Sequence, residues 1–210
     1  MRNILPRSII FGEAVFTIPP TKEVLDTLTR SAADIFHSEF PDASEAFVQG
    51  SIAIGKFESY LGGAGSFAPD GIPSWNFGAV HARPSVPDQF CFKGGSCFAK
   101  FPTQKDGILF WKKIMPTAAL NALQKGDAFT CANEMEKAGY YNKVFTPVKK
   151  YEAAIVAHSR IIATTLGEEP KVFGIGSITP NLEPEKSGNL LLAGAALLTG
   201  TAALWYASKG

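Results

Sequence analysis

The stretch from Ser44 to Leu61 constrains the fold more than any other part of this chain. Ala46, Phe47, Ile52, Ile54, Phe57 and Leu61 recur at spacings compatible with one helical face, and Gly62-Gly63 follows as the kind of stop that helix ends prefer. The spacing predicts a helix packed into the core, with Glu58 in its last turn. An acid is locally unfavourable there, because the C-terminal end of a helix carries partial negative charge. A residue that breaks a local rule without evident compensation is more often functional than average. Among apolar neighbours a carboxyl is desolvated, so its pKa rises and it holds a proton near neutral pH. A general acid needs that property. The plain alternative is a solvated helix-end glutamate.

Around this window the pattern is mostly helical. Thr21 caps a helix whose period runs through Val24, Leu25, Leu28, Ala32 and Ile35, and further helices are predicted over 106–115, 116–124, 127–138 and 148–165. Residues 1–20 read as an extended segment ending at Pro19-Pro20. Glu13 interrupts their apolar run and no small-residue cleavage site follows, so they do not read as a secretion signal. The stretch 166–188 is rich in Gly and Pro with little periodicity and reads as a linker. From Leu190 to Tyr206 the chain is apolar and uncharged, close to the length needed to cross a bilayer, with Trp205 and Tyr206 where interfacial aromatics belong. Residues 189–207 therefore read as a C-terminal transmembrane anchor, against a buried core helix as the competitor. Ala196 and Gly200 stand four apart, which allows self-association in the membrane. Lys186 and Lys209 flank the run on either side and leave its orientation open.

Composition sets the frame. A chain of 210 residues, 46% hydrophobic, can bury one good core, which suits a single catalytic domain over 21–165. Its net charge of +1 gives no reason to expect nucleic acid as a partner. No cofactor and no metal are expected, since Cys91 and Cys97 have only five residues between them and no His beside them. Those two cysteines could bridge in an oxidising compartment and leave Cys131 over, or all three could be free thiols. A cysteine-peptidase pairing of Cys97 with His81 or His158 has no support in the spacing.

Four short segments in order carry a resemblance. Phe57-Glu58-Ser59 is followed by a glycine-rich loop and Trp75-Asn76-Phe77-Gly78-Ala79-Val80. Then come Cys97-Phe98-Ala99-Lys100-Phe101-Pro102-Thr103, the helix opening at Asp106-Gly107-Ile108, and Met135-Glu136-Lys137-Ala138-Gly139-Tyr140 with Tyr151 beyond it. Together they resemble the glucosaminidase-type peptidoglycan hydrolases, the autolysin and flagellar-muramidase group of the lysozyme-like superfamily, over about residues 44 to 160. Departures occur at Trp75, where the family often has Asn, at Ala79, where it has Ile, and at Tyr141-Asn142-Lys143 after the Gly-Tyr pair. The resemblance implies an α+β, mostly helical lysozyme-like domain with a small β-lobe at about 66–101. A cleft would lie between that lobe and the helix ending in Glu58.

The chemistry follows from the residue types. Cleaving a glycosidic bond needs a proton for the leaving oxygen and stabilisation of an oxocarbenium-like transition state, usually by a second carboxylate. Glu58 is the expected acid. Asp88 and Asp70 are the candidates for the second group, and the resemblance favours Asp88 as catalytic, leaving Asp70 to substrate contact. A substrate-assisted route, or a lytic transglycosylase reaction giving anhydro ends, needs one Glu alone, and Tyr140 suits either. Ser59, Trp75, Asn76, Phe77, Gly78 and Tyr141 complete the expected sugar-binding set. The resemblance and the apolar tail together predict a peptidoglycan glycosidase held in a membrane. The setting they suggest is a virion-associated lysin that opens the bacterial wall as a phage penetrates, or otherwise an enzyme of the bacterial inner membrane facing the periplasm. Its partners would be glycan strands, the bilayer and other virion proteins. A non-catalytic structural or glycan-binding protein of the same fold is the alternative of a different class.

Overall fold

In the computed structural model the described residues are 20–68, 71–86, 88–92, 96–141 and 146–174. The expected N-terminal extended segment, Asp70, most of the expected linker and the 190–206 apolar run lie outside them. Among the described residues no helix is long and apolar enough to cross a membrane.

Among the described residues the architecture is α+β: six α-helices and one small hairpin. The helices are α1 (Lys22–Glu39), α2 (Glu45–Ser59), α3 (Gln104–Ile114), α4 (Thr117–Gln124), α5 (Ala128–Lys137) and α6 (Val148–Leu166), and the strands β1 (Gln89–Cys91) and β2 (Cys97–Ala99) fall between α2 and α3. Polar caps start the first helices: Thr21 accepts from the Val24 N–H and Ser44 from the Phe47 N–H. Ser44 is itself anchored, because its hydroxyl and its N–H both bond to Gln124 at the end of α4.

The centre of the molecule is α2, with 12 of its 15 residues buried. A helix that is buried nearly all round must be wrapped by others, and α1, α4 and α6 pack on it. Close approach rests on glycine: a Cβ on Gly55 would stand 2.5 Å from the Phe77 ring, and one on Gly50 2.7 Å from Leu123. Beside α2 the rings of Phe36, Phe77 and Trp111 meet edge to face, with centroids 5.2 to 6.4 Å apart.

The lobe expected at 66–101 is present with two short strands. They pair antiparallel in the register Gln89↔Ala99, Phe90↔Phe98, Cys91↔Cys97, and the last pair is a disulfide. Phe67, Phe90 and Phe98 form a small core of their own. Cys131 is a buried free thiol on α5.

Two boundaries differ from expectation. Helix α2 does not stop at Gly62-Gly63. Tyr60 and Leu61 take the left-handed conformation first, with φ of 49° and 62°, and Gly62 is needed for another reason: its Cβ would lie 2.3 Å from the Asn76 nitrogen. The expected linker also begins late. Beyond the Gly167 cap, residues 168–174 pack back on the helices because the fully buried Gln49 side chain needs partners. Its amide donates to Glu168 and to the Glu169 carbonyl, and its oxygen accepts from the Lys171 N–H. Val172 is buried, and Phe173 exchanges backbone bonds with Gly126 and Ala128.

Candidate active site

Glu58 ends α2 with its side chain only partly exposed. Its carboxyl accepts a hydrogen bond from the Tyr151 hydroxyl of α6. Burial pushes the carboxyl up from 4.5 to about 7, and the Tyr151 bond works in the opposite direction. Two further aromatics hold Tyr151: Tyr141 stacks on it at 4.2 Å and 5°, and Phe57 meets it edge-on at 5.2 Å. Tyr141 is fixed in turn by its hydroxyl, which donates to the Ala132 carbonyl. The Tyr151 and Tyr140 phenols are both held well above their ordinary value, first by burial and then by the charge of Glu58. Both therefore stay protonated, and Tyr151 is the donor to the carboxyl.

The floor of the site is a strained loop. The non-glycine residues with positive φ among the described residues are Tyr60, Leu61, Trp75 and Ala79. All four lie in two segments, one directly after Glu58 and one at 75–79. Left-handed conformation costs of order 1–3 kcal/mol per non-glycine residue and persists only where surroundings over-determine it. Here the surroundings are hydrogen bonds. The Trp75 N–H and the Ser74 hydroxyl donate to Gly62, and the Ser59 hydroxyl donates to the Phe77 carbonyl. Asn76 donates to Val80 and Ala99 and accepts from the Val80 N–H.

These bonds decide what each expected substrate contact does. Ser59, Asn76 and Phe77 are fully buried, and their side chains brace the loop and the core. Gly78 is buried too, and its carbonyl accepts from the Tyr140 hydroxyl at 2.9 Å while that oxygen accepts from the Trp111 ring N–H. The Tyr140 proton is thus engaged in tying the loop to α3. Trp75 is half-buried between the main core and the lobe, with its carbonyl against Gly107. Asp88 is exposed and lines a hollow of about 420 Å³ with Lys100, Asp106 and Lys113, a hollow that Glu58 does not line. Asp88 leads into β1, and its carbonyl pairs with the Lys100 N–H at the lobe's flank.

Sequence reasoning reached Tyr151 only through the resemblance, without assigning it a role. Its signal is weak, a tyrosine on a helical face ninety-three residues from its partner. His158, two turns beyond Tyr151 on the same face of α6, has a buried Nδ1 without a hydrogen-bond partner, and burial pushes it down to about 4. It stays neutral behind Phe57.

Set against known protein families, curated proteins and solved structures, the chain matches none of them.

Proposed function

We propose that this chain is a peptidoglycan glycosidase with Glu58 as its general acid. One observation carries the reading: a carboxyl that keeps its proton to about pH 7, is reachable from solvent, and is aimed by a tyrosine it cannot share with water. The strained loop under it supports a functional rather than a structural role. The substrate class and the lysozyme-like assignment rest on the resemblance over residues 44 to 160. Routes that need one Glu alone fit the same acid: the N-acetyl oxygen of the sugar can act as internal nucleophile, or a muramyl hydroxyl can close an anhydro ring in place of water. A lytic transglycosylase is therefore the second reading. The setting proposed is a virion-associated lysin anchored by 190–206.

The test is digestion of purified peptidoglycan by the full chain in detergent, beside Glu58→Gln, with mass analysis of the fragments. Reducing ends lost in the variant support hydrolysis, and anhydro ends lost in the variant support transglycosylation. No release by folded wild-type protein leaves a glycan-binding or structural protein. For the setting, purified particles that contain no copy of the chain would remove the virion version.

A further inference from the structure

Three metal-ligating side chains converge at the end of α2 opposite Glu58. His37 stands in the last turn of α1, Glu45 in the first turn of α2, and Glu168 just past the end of α6. One ligating atom from each lies within 4.8 Å of the other two. Helix dipoles explain a base at the end of α1 and an acid at the start of α2 taken singly. They do not explain why a third segment brings a second carboxylate, Glu168, to the same place.

The spacing is informative. Among the described ion pairs and hydrogen bonds, His37 makes no contact within 4.0 Å to either carboxylate. The groups are too far apart to satisfy one another directly. Some point must lie within about 2.8 Å of all three atoms, because none is more than 4.8 Å from another, and metal–ligand bonds run from about 2.0 to 2.6 Å. A small inward shift of exposed side chains would complete such a set. The support behind it is also in place. Gln49, fully buried, donates to one Glu168 oxygen at 2.9 Å, fixing that carboxylate while its other oxygen remains for a ligand.

We infer that His37, Glu45 and Glu168 form a binding site for a divalent cation, with the imidazole and two carboxylates suited to Zn²⁺ and water filling the fourth position. The cation clips the chain after α6 to the junction of α1 and α2. It is separate from the chemistry at Glu58, and it stands whether or not the glycosidase reading does.

The test is isothermal titration of ZnCl₂ into the full chain, stripped with chelator and kept free of reductant so that the Cys91–Cys97 bridge stays closed. His37→Ala, Glu45→Gln and Glu168→Gln are compared with wild type and with Glu58→Gln, and circular dichroism without metal confirms that each is folded. The expected result is one equivalent of Zn²⁺ bound by wild type and by Glu58→Gln, a rise in Tm on binding, and at least tenfold weaker binding in the other three. Absence of saturable binding by wild type, or binding undiminished in His37→Ala, overturns the site.

Discussion

The phenol of Tyr151 donates its proton to the carboxyl of Glu58, so the long helix α6 reaches across to the end of α2 and sets where that acid points. Two influences pull the Glu58 pKa in opposite senses: the pocket that buries the carboxyl raises it, and the bond from Tyr151 lowers it.

The burial of Glu58 makes a stability prediction with a definite sign. The carboxyl titrates at about 7 in the folded chain against an ordinary value of 4.5. Below the lower value both states are protonated and the residue has no effect. Between the two the unfolded chain releases its proton first, so stability falls as pH rises, and above 7 the full penalty of ~3 kcal/mol is present. Glu58→Gln should match wild type near pH 4 in urea unfolding and exceed it near pH 8. Equal differences at both pH values would show that the carboxyl is not raised.

Tyr151→Phe removes the bond that lowers Glu58. The alkaline limb of the pH profile of kcat/KM should move to higher pH, with a rate loss of roughly ten- to hundredfold from misaimed acid. Stability should drop by about 1 kcal/mol for the lost hydrogen bond. A rate loss without any displacement of the limb would separate Tyr151 from the proton of Glu58.

Asn76 is a loop clasp, so Asn76→Ala should act through folding. The Val80 N–H and the Ala99 carbonyl would lose a buried partner, at a cost of about 3 kcal/mol together. Differential scanning calorimetry checks this. A variant of unchanged Tm with weakened glycan binding would return Asn76 to the substrate.

The Cys91–Cys97 bridge closes a loop with a sequence separation of 6, for which chain entropy gives about 2 kcal/mol. Replacing both cysteines by Ser should raise hydrogen exchange at Phe90 and Phe98 while leaving α2 and α6 protected. Uniform loss of protection throughout would mean that the lobe and the helices unfold as one unit.

Much of the helical framework was legible because its signals are local. The apolar period of 44–61 predicts α2 within a residue or two of where it lies, and the cap at Thr21 predicts where α1 begins. The core position of Glu58 was legible for the same reason. The loop at 75–80 was not, because a polar Asn beside aromatics looks the same in sequence whether it binds a sugar or its own backbone. Gly62-Gly63 reads as a helix stop, but the stop fell on Tyr60 and the glycine served the approach of Asn76. The packing of 168–174 escaped because its cause, the buried amide of Gln49, lies on another helix. Tyr151 and Glu58 meet through tertiary structure, which periodicity does not encode.

The separation of 93 residues between Glu58 and Tyr151 also sets a timetable. At about 5–20 residues per second, a ribosome needs roughly 5 to 20 s after making the acid before it supplies the tyrosine. Through that interval α2 lacks the helix that covers it, and the acid lacks the group that aims it. A nascent chain is thus born without a finished site, and whatever chemistry Glu58 performs begins only when synthesis of the domain is nearly over.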